Sequence, residues 1–203
     1  KGKTRPGQIR STMQKAMMDY VGVFREGKGI QQAIDIVQEL RQQYQAHIAK
    51  VLTLAGIADA DSKAARILAL ETAIARVHAT QLETNDVEKG ANAWKQADFA
   101  ARAPGLDWNA FLDGAGLSAQ QDFVVWQPKA ISGLSALVKS QPLETWKDYL
   151  AFHALDRASS YLPKAFADEN FAFYGTTLSG TPQQKERWKR AVQAVNGSLG
   201  EAI

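Results

Sequence analysis

Cysteine is absent from this 203-residue chain, and histidine occurs only three times, at His47, His78 and His153. Without thiols there is no disulfide framework, no thiolate nucleophile and no cysteine zinc site. No histidine opens an H-E-x-x-H sequence, the spacing that sets two imidazoles on one helix face beside a glutamate base. His47 is followed by Ile-Ala-Lys, His78 by Ala-Thr-Gln and His153 by Ala-Leu-Asp. His153 and Asp156 are three apart and can share a face, but two ligands do not close a metal site. The residues therefore give no metal ligand; His47 and His78 are expected at helix margins and His153 in the core. Glycine-rich phosphate loops are missing too, since Gly27-Lys28-Gly29 has neither the preceding strand nor the full motif. A G-x-S-x-G nucleophile elbow is lacking, with Ser132 and Ser135 in helical surroundings. No apolar run approaches the roughly 18 residues that cross a bilayer, so no membrane span is expected.

Charge of one sign is also scarce. Against 24 basic residues stand 21 acidic ones, a net +3, and part of that excess sits in the opening KGKTRPGQIR. A nucleic-acid partner usually demands a denser basic face, so none is expected. Hydrophobic residues at 45% and charged residues at 22% are ordinary for a folded domain, and the length suffices for a sizeable core. The chain opens at Lys1 without the apolar middle of a signal peptide and ends at Glu-Ala-Ile. Both ends read as cut from something larger.

What is present is helical periodicity. Apolar residues recur every three or four positions almost throughout. Ile9, Met13, Met17, Tyr20 and Phe24 stripe a first helix over about 8–25, and Gly27-Lys28-Gly29 breaks it. Ile34, Val37, Leu40, Tyr44, Ile48 and Val51 then line a long helix that ends near Gly56, where a left-handed cap favours glycine. Asp59 and Asp61-Ser62 offer caps for the next helix, with Ile67, Leu70, Ile74 and Val77 inward. Glu83 to Gly90 is polar and reads as the end of that helix or a loop. Asn92 can cap a short helix carrying Trp94 and Phe99, and Asp107 another with Trp108, Phe111 and Leu112. Ser118 to Gln121 has capping-box spacing. The β-branched and aromatic Phe123-Val-Val-Trp126 is the one strand candidate. Two helices follow, split at Gln141-Pro142, the second striped by Leu143, Trp146, Leu150, His153, Arg157 and Tyr161. Thr181-Pro182 predicts the start of a last helix carrying Trp188, Val192, Val195 and Leu199.

Chemistry-bearing clusters are weak. Glu71 and Glu83 near His78, and Asp98, Asp107 and Asp113, are accounted for by caps and solvated faces. The five tryptophans, Trp94, Trp108, Trp126, Trp146 and Trp188, read as anchors of short helices rather than as a groove for peptide side chains. Whether Trp126, Trp146 and Trp188 close a core or leave an open wall is the point to check. No catalytic or substrate-binding residue is assigned.

From about Tyr44 to Ile203 the chain resembles the N-terminal helical region of the neprilysin-like zinc metalloendopeptidases, especially bacterial members. The stretches that carry the likeness occur in order: YQAHIAKVLTLAG, ARILALETAIA, ADFAARAPGLDWNAFLDGAGL, FVVWQPKAISGLSALV, LETWKDYLAFHALDRASSYLPKAF and FAFYGTTLSGTPQQKERWKRAVQAVNGSLGEAI. The resemblance implies a two-lobed enzyme around a central cavity, with zinc held in a catalytic lobe through H-E-x-x-H and a further glutamate. The residues here match the other lobe, which caps the cavity and limits substrates to short peptides. Its partners would be the missing catalytic lobe and, in the whole enzyme, short peptides; no cofactor is expected in this chain. No zinc ligand, base or transition-state histidine of the family has a counterpart. Asp156-Arg157 and Phe171 to Tyr174 match family positions and read as structural, an Asp–Arg pair fixing helix packing. Residues 6–44 resemble instead the C-terminal helical region of succinate dehydrogenase and fumarate reductase flavoproteins, through I-R-x-x-M-Q-x-x-M and Val23-Phe24-Arg25.

The sequence thus predicts an all-α, multi-helix orthogonal bundle with at most one short strand near Phe123–Trp126. Residues 1–43 form a helical hairpin of uncertain origin and 44–203 a helical capping lobe. The chain is expected to be inactive alone. An engineered or mosaic helical scaffold, or a flavoprotein assembly domain, is the alternative. A periplasmic or secreted location follows if the peptidase resemblance holds.

Overall fold

The computed structural model describes residues 30–200, which leaves the helix foreseen over 8–25 outside the described residues. Ten α-helices, one π-helix and a two-stranded sheet follow one another among them, so the chain is mostly α-helical. The chain divides into two compact units, one of residues 30–61 and 152–200, the other of 62–151.

In the first unit, α1 (Ile30–Leu54) stops where the stripe predicts. Gly56 takes φ +73°, and the Ile57 N–H reaches back to the Leu52 carbonyl at 3.0 Å. That left-handed turn satisfies helix-end carbonyls at a position where a side chain would be strained. Ile48, Val51 and Leu52 are fully buried, whereas Ile34 and Val37 on the same stripe are exposed. Helix α9 (Lys164–Asn170) packs on α1 and runs directly into a π-helix, Phe171–Thr177. Phe152, Phe166 and Phe173 complete this core, each contributing about 2–3 kcal/mol of apolar burial. The last helix, α10 (Arg187–Leu199), begins five residues after Pro182. Thr181 does not cap it: its N–H is taken by the Gly175 carbonyl at 2.9 Å, tying 181 to the end of the π-helix.

The second unit opens with most of α2 (Ala60–Val77), which buries Ala64, Ile67 and Leu70. Glu83 to Gly90 is not a loop but two single-turn helices, α3 (Gln81–Thr84) and α4 (Val87–Gly90). Thr80 and Glu83 form a reciprocal capping box on α3, and Asp86 caps α4, which is how such short turns persist.

Asn92 does not cap a helix. Residues Asn92–Lys95 form β1, paired antiparallel with β2 (Asp122–Val125) in the register Trp94↔Phe123 and Lys95↔Asp122. There are therefore two short strands where at most one was expected. The strand pattern at 92–95 was hidden because only Trp94 of its four residues turns inward. Helix α5 (Gln96–Arg102) follows at once, its first turn closed by the Lys95 N–H on Asp98 at 2.7 Å. Asp107 does cap α6 (Trp108–Gly114), through the Ala110 N–H. Ser118 starts no helix; its hydroxyl donates to Asp113 at 2.8 Å. The core here is aromatic, with Phe99 5.1 Å from Trp94, 4.8 Å from Trp108 and edge-on to Phe123 at 5.2 Å.

Helix α7 (Pro128–Ser140) and α8 (Leu143–Ala158) are divided at Gln141-Pro142 as predicted. The face of α8 is inverted, however. Leu143, Leu150, Arg157 and, beyond the helix end, Tyr161 are exposed, and Thr145, Asp148, Phe152, Asp156 and Ser159 are buried. Polar side chains on a helix's inner face need partners, and Asp148, Asp156 and Ser159 each have them.

Candidate functional site

The three histidines are not brought together. His78 lies exposed at the end of α2, its Nδ1 2.7 Å from the Ile74 carbonyl. His153 is half-buried beside the Phe152 ring. His47 reverses expectation: on α1 it is 2% exposed, not marginal. Helical spacing hid this, because His47 precedes Ile48 on the buried face and a polar residue there was read as an edge.

His47 is the centre of the most developed polar cluster among the described residues. Its Nδ1 lies 2.9 Å from Glu169 Oε1 on α9, and its Nε2 3.3 Å from Asp156 Oδ1 on α8. Asp156 also accepts from the Asn170 amide and from the Tyr174 hydroxyl, each at 3.0 Å. The Phe173 ring stacks on the imidazole at 4.7 Å, and Tyr174 stands edge-on at 5.4 Å. One buried cluster thus ties α1 to α8, α9 and the π-helix. The π-helix is part of the geometry: its wider turn presents Phe173 and Tyr174 together to His47. Gly175 belongs to the same turn, for a Cβ there would collide with the Phe171 ring.

Burial favours the neutral form of His47, but its hydrogen bonds to Asp156 and Glu169, with their charges, outweigh it and hold its pKa above the ordinary 6.5. An imidazolium donating to both carboxylates is the state this geometry suits. Asp156 therefore pairs with His47 rather than with Arg157, which is exposed. Glu169 and Asn170 went unrecognised in the sequence, whereas Tyr174 was read as structural; the readable signal was the spacing of Asp148, Phe152, Asp156 and Ser159, one helix face with polar members.

The second unit holds a parallel device. Asp148 is buried and receives Lys63 Nζ at 2.6 Å and Arg66 Nη2 at 3.0 Å, both from α2. Burial pushes its carboxyl up, yet the two cations prevail and hold it below the usual carboxylate range. Trp126 and Trp188 are exposed and Trp146 is half-buried. A shallow hollow edged by Gln96, Asn109, Ala110, Asp113 and Ser118 opens to solvent, and Asp113 there accepts from the Ser118 hydroxyl.

The donors do not suit zinc. His47 directs its two nitrogens in opposite directions, so Asp156 and Glu169 flank the ring instead of converging on one point. Among the described residues no group of three or more His, Cys, Asp or Glu side chains is placed to hold a metal ion. No helix among them is long and apolar enough to cross a membrane. This architecture, a helical body with buried polar ties and no ligand set, agrees with a sequence comparison: the model for the N-terminal region of peptidase family M13 matches residues 29–203.

The chain belongs to peptidase family M13.

Within that family it is 28% identical over 171 residues to endothelin-converting enzyme 1 of Rattus norvegicus, covering 79% of this chain and 22% of the relative. It is 27% identical over 146 residues to the Bos taurus enzyme of the same name, covering 68% and 19%. Among solved structures, the open state of the Mycobacterium tuberculosis zinc metalloprotease Zmp1 matches with TM-score 0.72 and 32% identity, over 85% of this chain and 27% of that one. The same protease in complex with an inhibitor gives TM-score 0.73 over 81% and 26%. The chain thus spans about a fifth of the length of the curated M13 relatives and about a quarter of Zmp1. These comparisons give no support to a flavoprotein likeness for residues 6–44, and the M13 match begins ahead of Tyr44, at residue 29.

Proposed function

We propose that this chain is part of the non-catalytic helical lobe of an M13 zinc endopeptidase. In the whole enzyme it would cap the peptide-binding cavity opposite a catalytic lobe that holds zinc. The observation that carries the reading is the fold match to Zmp1 at TM-score 0.72, which takes in 85% of this chain but 27% of the protease. The construction supports it: among the described residues the buried His47 and Asp148 each hold helices together. In this reading His47 and Asp148 keep the lobe rigid, and substrate selection is steric. A bacterial source is supported by the 32% identity to the mycobacterial protease against 26–28% to the animal relatives.

The experiment compares the full-length polypeptide carrying this chain with the chain alone, on fluorogenic peptides of graded length. The full-length protein should cleave short peptides, lose activity to a zinc chelator, regain it with zinc, and reject folded proteins. The chain alone should cleave nothing. Peptide cleavage by this chain alone, or a zinc-independent full-length protein, would overturn the proposal.

A further inference from the structure

Helix α10 presents Trp188, Val192, Val195 and Leu199 at steps of four, three and four, which is one face of a helix. These side chains are 62%, 53%, 51% and 54% exposed. Single exposed apolar residues are ordinary, but an aligned row at the face of a helix signals something that covers it. Over eleven steps of 1.5 Å the row is about 16 Å long.

Charge at its start narrows the partner. Arg187, Lys189 and Arg190 crowd the first turn, and α10 has no acidic residue there. The N-terminal end of a helix carries partial positive charge, so cations at that end are unfavourable unless acids face them. Glu186 meets only Lys189, at 2.9 Å. The complementary surface is therefore an apolar groove with carboxylates at its Trp188 end.

Size separates a free partner from a tethered one. A row of four side chains offers a few hundred Å², well short of the ~800 Å² per partner of a stable free-standing interface. A second copy would have to meet that requirement. A partner on the same polypeptide would not, because linkage supplies a high effective concentration. M13 relatives extend far beyond the part matched here, so such a polypeptide has ample chain to provide one.

We infer that the Trp188–Leu199 face of α10 docks into an acid-rimmed apolar groove of the remainder of the same peptidase polypeptide. This rests on the reading of the chain as one lobe of an M13 peptidase.

This chain has no cysteine, so each introduced thiol is its single labelling site within it, read by mass mapping of that peptide. Val192→Cys and Val195→Cys are introduced singly, with Gln193→Cys as a control on another face of the helix, and maleimide labelling rates are measured in this chain and in the full-length protein. All three should label rapidly in the chain alone. In the full-length protein, positions 192 and 195 should slow at least tenfold and 193 should not. Equal rates at 192 and 195 in both proteins would overturn the docking while leaving zinc-dependent peptidase activity, and hence the lobe reading, intact. Protection in the chain alone that grows with its concentration would also overturn it, assigning the face to a second copy. Loss of the lobe reading would show separately, as a full-length protein without zinc-dependent cleavage.

Discussion

Removing the His47 imidazole should destabilise the first unit more than any other single change to its polar groups. In His47→Ala, Asp156 and Glu169 lose their shared donor, and a space opens against Phe173 and Phe152. Breaking a buried charge pair by deleting one partner costs about 3–5 kcal/mol, and His47 is buried enough for that figure to apply undiscounted. The loss should also depend on pH. The folded state holds the His47 proton more tightly than the unfolded chain, whose imidazole titrates near 6.5. Between that value and the raised folded one, the native state binds more protons, so stability falls as pH rises, by up to about 1.4 kcal/mol per pH unit. The contribution is complete below about pH 6.5, while the carboxylates stay ionised, and disappears above the folded pKa. Urea unfolding followed by far-ultraviolet circular dichroism at pH 6.0 and 8.5 measures both effects. The gap between wild type and variant should be largest at pH 6.0 and narrow at pH 8.5. A gap below 1 kcal/mol at pH 6.0, or one that widens with pH, would refute the imidazolium bridge.

Asp148→Ala should cost about 1–3 kcal/mol, less than His47→Ala because Lys63 and Arg66 can turn to solvent once unpaired. Its contribution is present above the unfolded carboxylate pKa and lost as pH falls through the depressed folded one, so acid titrations of wild type and variant should converge. Gly175→Ala should cost about 1–3 kcal/mol by forcing the Phe171 ring aside, read as a lower urea midpoint with loss of near-ultraviolet aromatic signal. Trp94→Ala should cost about 3–5 kcal/mol through the cavity left beside Phe99, whereas Trp188→Ala in this chain alone should change stability by less than about 0.5 kcal/mol.

Helix existence was legible wherever apolar spacing and punctuation agreed. Gly56 closed α1, Asp107 opened α6 and Pro142 separated α7 from α8, each by a local backbone requirement that any sequence reader can apply. What the spacing misassigned was orientation. On α8 the larger apolar residues Leu143 and Leu150 face outward while Asp148 and Asp156 face inward, because partners far along the chain satisfy them. Those partners, Lys63 and His47, are 85 and 109 residues away, and no local pattern encodes them. The same holds for β1, whose only inward residue is Trp94 and whose extended form depends on Asp122–Val125. Thr181-Pro182 did not start the helix either: the Thr181 N–H donates to the Gly175 carbonyl of the π-helix, and the last helix begins only at Arg187. The candidate site was the least legible part, since His47 becomes a buried hub only through Asp156 and Glu169 from two other helices.

The most direct test of the lobe assignment is a zinc-edge anomalous diffraction map of the full-length protein with a bound short peptide. The account predicts one zinc peak on side chains outside residues 29–203, with residues of this chain forming wall of the peptide cavity. A zinc peak ligated by residues of this chain would contradict it.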